Sequence, residues 1–113
     1  MVERTRGVLA TEAVIAATLA ARLKGLLGRS GLGAQEALIL PQCRSIHTLG
    51  MQFPIDAAFV DRAWRVVSVR FHLCPGRLMF PVFGASTVVE CSDGALERAG
   101  LVIGDTLQLS PTT

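Results

Sequence analysis

Residues 55–73 read IDAAFVDRAWRVVSVRFHL, and this stretch decides the fold class. Its first six residues are an apolar run of strand length. Asp61, Arg62 and Ala63 then interrupt it as a polar turn. From Arg65 to Leu73, Val67, Val69 and Phe71 alternate with Val66, Ser68 and Arg70. That period of two belongs to a strand with one face inward, because successive side chains of extended backbone point to opposite sides. Two such runs joined by a short turn predict paired strands.

Working outward, the same reading recurs. Residues 37–40 form a short apolar run closed by Pro41, and residues 45–48 are a further candidate strand. Residues 85–91 are a strand by their β-branched Thr87, Val88 and Val89. Residues 101–109 close the domain, with Gly104-Asp105 as a turn before Thr106. Residues 8–16 begin as a strand and merge into an alanine-rich segment. Thr18 is placed to cap a helix over residues 19–27, where Leu19, Leu23, Leu26 and Leu27 share one face. Asp93 is placed to cap a second, short helix through Ala99, ended by Gly100. Residues 74–84, CPGRLMFPVFG, hold two prolines and two glycines and read as a loop. The expectation is one domain over residues 1–113, mainly β (α+β): a β sandwich or barrel-like fold with one N-terminal helix and one short C-terminal helix.

Composition narrows the function classes. Half of the 113 residues are hydrophobic, enough for a modest core and too many for a disordered chain. The net charge of +2 is small and spread out, and the single tryptophan with five phenylalanines makes no stacking platform, so nucleic acid is not an expected partner. The apolar segment 13–21 is too short to span a bilayer, Glu3 and Glu12 interrupt the approach to it, and no secretory leader is expected. A cytoplasmic, soluble monomer is expected. The three cysteines, Cys43, Cys74 and Cys91, are expected as reduced thiols, with one disulfide and a spare thiol as the secreted alternative. Neither G-x-x-x-x-G-K-[ST] nor G-x-G-x-x-G occurs, which excludes nucleotide binding by those devices.

Chemistry concentrates in residues 43–56, CRSIHTLGMQFPID. Gly50 and Pro54 set a bend there. Arg44, Ser45, His47, Met51, Asp56, Arg77 and Glu90 are the candidate lining of a polar groove for a small ligand or a protein partner. The planar forks of the arginines suit a carboxylate or phosphate, and the imidazole makes the site pH-responsive. The structural alternative pairs Arg44 or Arg77 with Asp56 or Glu90, since a buried carboxylate needs a partner. A metal alternative takes Cys43, His47, His72 and Cys74 as zinc ligands; otherwise no cofactor is expected. A third alternative makes Cys43 or Cys74 a nucleophile served by a nearby histidine. The large apolar residues of the 74–84 loop, Met79, Phe80, Val82 and Phe83, are expected to tuck under the sheet, with a contact patch as the other outcome.

The block from Ser45 to Asp61, together with Arg22-Leu23-Lys24-Gly25-Leu26-Leu27, Gly84-Ala85, Val89-Glu90 and Gly104-Asp105, resembles domain-of-unknown-function family 192, small uncharacterised prokaryotic β-rich proteins. The likeness runs from about residue 8 to residue 109. Members often carry Ser-Phe-Trp-Met-Lys-Asn-Thr before a Pro-Leu-Asp step. Here Ser45-Ile46-His47-Thr48-Leu49-Gly50-Met51 stands before Pro54-Ile55-Asp56, similar to a histidine-threonine subset. A family that accepts tryptophan at position 47 implies no catalyst there common to all members. The resemblance implies a bacterial, β-rich fold with no settled reaction. The residues themselves lead to the expectation of a small non-enzymatic ligand- or protein-binding accessory module, with a Cys/His metal protein or a small thiol/histidine enzyme as the alternatives.

Overall fold

A computed structural model describes residues 2–4, 7–10, 12–16, 26 and 28–109. The strands are β1 (Val2–Arg4), β2 (Gly7–Ala10), β3 (Glu12–Ile15), β4 (Glu36–Pro41), β5 (Ile55–Val60), β6 (Val66–Leu73), β7 (Thr87–Ser92) and β8 (Leu107–Leu109), with helix α1 (Ala95–Ala99) between the last two. They form a five-stranded sheet in the order β3-β4-β7-β5-β6 and a three-stranded sheet in the order β2-β1-β8. In the larger sheet only β3 and β4 run parallel.

The chain is mainly β, as the alternation in residues 65–73 predicts, but the large sheet stays open rather than closing into a barrel. Closure would require β3 and β6 to pair, and they are instead its two edges. The segment that begins at residue 8 divides between sheets: β2 enters the small one and β3 the large one. Strand β6 shifts register twice against β5, and beyond the shifts Arg70, Phe71 and His72 are exposed. Such bulges turn an edge away from further pairing.

Both faces of the large sheet are covered, which is why all six residues of β5 are buried. On one face Ala37, Ile39, Ala58, Val60, Val89 and Cys91 pack with Val2, Leu107 and the α1 residue Leu96. On the other, Leu38, Leu40, Ala57, Phe59 and Val88 pack beneath loop residues that include Ile46, Met51 and Ala85. A strand covered on two sides reads as a nearly continuous apolar run, as residues 55–60 do apart from Asp56. Burying Phe59 alone contributes roughly 1.5–3 kcal/mol.

Three local expectations change. The helix expected over residues 19–27 falls outside the described residues, Leu26 apart. The candidate strand 45–48 is reduced to a single bridge between His47 and Leu78. Helix α1 ends at Gly100 as expected, but it starts from Gly94, in the left-handed region at φ 82°, and no side chain at that position caps it. Asp93 is turned away to His72 Nδ1, 2.9 Å distant. The capping acceptor comes instead from Asp56 on β5, which receives the Leu96 N–H at 3.0 Å and the Glu97 N–H at 3.4 Å.

Candidate functional site

Two loops, residues 42–51 and 74–86, lie against one another beyond the strand ends, and a buried threonine ties them. Thr48 Oγ1 donates to the Cys74 carbonyl at 2.6 Å and accepts the Arg77 N–H at 2.8 Å. The Thr48 N–H donates to the Arg77 carbonyl at 2.9 Å, and the Thr48 carbonyl receives the Gly76 and Met51 N–H groups at 2.9 and 3.2 Å. Farther along, Ser45 Oγ donates to the Met79 carbonyl at 2.8 Å, Val82 N–H to the Arg44 carbonyl at 2.8 Å, and Cys43 N–H to the Ser86 carbonyl at 3.0 Å. A hydroxyl is the smallest group able to donate and accept at one buried point, so the loop pair depends on it. Gly50 completes the turn after Thr48 at φ 77°, a value that suits glycine.

This arrangement sorts the apolar residues of the second loop by side. Met79 and Val82 tuck against the core beneath, as expected for the whole set. Leu78, Phe80 and Phe83 do not: they are 76%, 92% and 100% exposed. The extended path opposite residues 44–48 is the reason, because it sends Met79 inward and its neighbours outward.

Beside this loop an open cleft of about 1070 Å³ is bounded by Pro41, Gln42 and Arg44, by Asp61–Trp64 and by Phe83–Thr87. Its walls hold two arginines, Arg44 and Arg62, one carboxylate, Asp61, and two aromatic rings, Trp64 and Phe83. Asp61 is occupied as a turn former: its Oδ1 accepts the Ala63 and Arg65 N–H groups, both at 2.9 Å. No carboxylate among the described residues pairs with Arg44 or Arg62. Two cleft residues, Gln42 at φ 54° and Trp64 at φ 62°, adopt the left-handed conformation without being glycine. For a bulky side chain that conformation is strained, and the surrounding structure must hold it.

The candidate lining read from the sequence is not brought together. Arg44, Ser45, His47 and Arg77 belong to the tied loops, with Arg44, His47 and Arg77 exposed. Met51 is buried in the core beneath them. Asp56 and Glu90 lie on opposite faces of the large sheet, since Asp56 is aligned with Cys91 and Glu90 with Ala57. Neither pairs with Arg44 or Arg77. Asp56 Oδ1 receives the His72 N–H at 3.0 Å, at one of the β6 bulges where His72 sits at φ 53°, while Oδ2 caps α1. Glu90 is buried beside Leu38 and Ala57, and loss of water pushes its carboxyl up to about 7.

The proposed zinc ligands are separated in the same way. Among the described residues no three His, Cys, Asp or Glu side chains are grouped to hold a metal. Cys43 Sγ contacts the Ser45 carbonyl at 2.9 Å, and His72 is taken by Asp93. Cys74 Sγ lies 3.8 Å from the His72 carbonyl. No disulfide joins the three cysteines. Burial, with Asp56 and Glu90 nearby, pushes the Cys91 thiol up to about 12, so it stays protonated and unreactive. Reading the sequence alone missed Thr48, Arg62 and the joint placement of Trp64 with Phe83. Only Thr48 left a signal, as half of the unusual His-Thr pair.

The family model of DUF192, described as an uncharacterized ACR, matches residues 1–109. The chain belongs to the DUF192 family. Two solved structures share the fold. A protein of unknown function from Novosphingobium aromaticivorans is 26% identical with a TM-score of 0.81, over 96% of this chain and 81% of that one. A proposed transcription regulator from Sinorhizobium meliloti is 17% identical with a TM-score of 0.76, over 85% of this chain and 79% of that one. No curated protein matches the chain. For this DUF192 member the family and its solved relative establish the fold and no reaction. No helix among the described residues is long and apolar enough to cross a membrane.

Proposed function

We propose that the chain is a small, non-enzymatic binding module whose ligand is a planar anion held in the cleft beside Trp64. The observation that carries this reading is the pair of strained residues, Gln42 and Trp64, lining the cleft that also holds Arg44, Arg62 and Phe83. Strain of this kind persists where a conformation is held for use. The charges support an anion, because two guanidinium groups oppose a single carboxylate already engaged by backbone N–H groups. A guanidinium grips a carboxylate or phosphate through two parallel hydrogen bonds. The rings of Trp64 and Phe83 favour a flat apolar body on that anion.

Of the polar groove expected from the sequence, Arg44 remains in this site, while Ser45 and Arg77 help to hold its loops. The lone tryptophan makes a direct test available, since all indole fluorescence comes from the cleft. Phenyl phosphate is expected to quench it saturably, and inorganic phosphate to bind more weakly. Arg44→Gln is expected to weaken phenyl phosphate by about tenfold or more through loss of a charge-assisted pair. A flat titration with phenyl phosphate and with benzoate would remove this reading.

A further inference from the structure

The geometry points to a second surface, adjoining the ligand cleft and sharing Phe83 and Arg44 with it: the loop tip of Leu78, Phe80 and Phe83 docks on an anionic lipid bilayer, with Arg77 and Arg44 at the headgroups. Three large apolar side chains on one short loop are 76%, 92% and 100% exposed. Leu49, on the loop tied to it by Thr48, adds a fourth at 43%. Packing does not explain them, because their neighbours Met79 and Val82 are the ones that fill the core. Pro75 near the start of the loop and Pro81 within its apolar tip restrict the backbone, which hinders collapse onto the domain.

Charge selects the occupant. The two tied loops, residues 42–51 and 74–86, contain no aspartate or glutamate, and they carry Arg44, His47 and Arg77. Arg77 immediately precedes the apolar tip, and the Arg44 carbonyl holds Val82 at 2.8 Å near its far end. An apolar tip flanked by Arg77 and Arg44 complements a surface that is apolar within and negative at its rim. Interfacial segments bind anionic membranes by these two contributions together, and arginine stems extend to reach headgroup phosphates. A folded protein partner would need a separate pocket for each projecting ring, whereas disordered acyl chains accommodate all of them without a prepared shape. The contact is peripheral and needs no spanning segment.

Co-sedimentation with vesicles of phosphatidylglycerol and phosphatidylcholine tests this, using residues outside the cleft so that the ligand reading stays independent. The full chain is expected to sediment with mixed vesicles and about tenfold less with pure phosphatidylcholine. The double substitution Leu78→Ser, Phe80→Ser is expected to reduce binding about tenfold or more, and Arg77→Gln about fivefold. Circular dichroism and quenching by phenyl phosphate are expected to be unchanged in these variants, because the altered side chains are exposed and do not line the cleft. Absence of sedimentation with mixed vesicles would overturn the proposal. So would undiminished binding by the Leu78, Phe80 double variant, which would reduce the effect to charge alone. A dimer in solution that the double variant dissolves would give the patch to a second copy. Poly-glutamate binding at least as strong as vesicle binding would give it to an acidic protein.

Discussion

Asp56 and Glu90 are both carboxylates on neighbouring central strands, 0% and 4% exposed, and they face opposite sides of one sheet. Their surroundings differ in a single respect that governs the rest. Three backbone N–H groups converge on Asp56, from His72 at 3.0 Å, Leu96 at 3.0 Å and Glu97 at 3.4 Å. Among the described residues none reaches Glu90, whose carboxyl is pushed up to about 7 by burial. Burial takes water from both; only Asp56 receives a replacement. Loss of water without a compensating donor favours the neutral acid. One side chain therefore joins the β6 bulge to the start of α1, and the other is a buried acid that stores a pH dependence.

The comparison breaks most readily at Asp56. In Asp56→Asn the amide nitrogen must face at least one N–H that a carboxylate oxygen now accepts, so buried donors lose their partner. The expected loss is about 1–3 kcal/mol in urea unfolding, with the His72 and Leu96 amides exchanging faster than in the parent. A loss below about 1 kcal/mol would mean that the three contacts contribute little beyond solvation, and the contrast with Glu90 would fail.

Glu90 sharpens the comparison through pH. Its folded pKa of about 7 lies above the ordinary 4.5, so the native state holds the proton more tightly than the unfolded chain. The resulting contribution to stability is complete below about pH 4.5, declines as pH rises, and is gone above about pH 7. Its size across that window is about 3 kcal/mol. Glu90→Gln removes the titration. The stability difference between parent and variant should therefore change by about that amount between pH 4.5 and pH 8, with Glu90→Gln the more stable at pH 8. A difference that does not vary with pH would place Glu90 in a solvated environment and dissolve the contrast.

These carboxylates also show what the sequence does and does not disclose. The central strands were readable because a strand covered on both faces is a nearly continuous apolar run: residues 55–60 matched β5, and residues 37–40 and 85–91 matched β4 and β7 to within two residues at either end. The alternation over residues 65–73 located β6 but not its bulges, where β6 carries an extra residue against β5. Asp93 looked like the helix cap because it is adjacent. The working cap, Asp56, is 40 residues from Leu96, and no local pattern registers an acceptor delivered across a sheet. The same limit explains the site. Residues 43–56 are dense in polar groups, yet Met51 packs in the core on one face of the large sheet while Asp56 lies on the opposite face. The cleft joins residues from three distant turns, so Trp64 and Phe83 meet only in the folded chain.

A third carboxylate sets the lower end of the scale. Glu36, at the exposed start of β4, accepts the Gly33 N–H at 2.7 Å and two bonds from Arg29 at 3.1 Å. The Gly33 N–H, and after it Arg29, holds its carboxyl below the ordinary 4.5. This is the donor supply of Asp56 without the burial. Water competes for each bond, so Glu36→Gln is expected to cost less than about 1 kcal/mol at pH 7. Its sign is opposite to that of Glu90: the contribution is present above pH 4.5 and fades as acid protonates the native carboxyl. Because the leading cause is a short N–H contact, added salt should weaken the Arg29 share and leave most of the effect. If Glu36→Gln instead costs as much as Asp56→Asn, donors alone would set the energy and burial would add nothing. A small loss, largely insensitive to salt, is the outcome consistent with burial as the factor that makes the Asp56 donors indispensable.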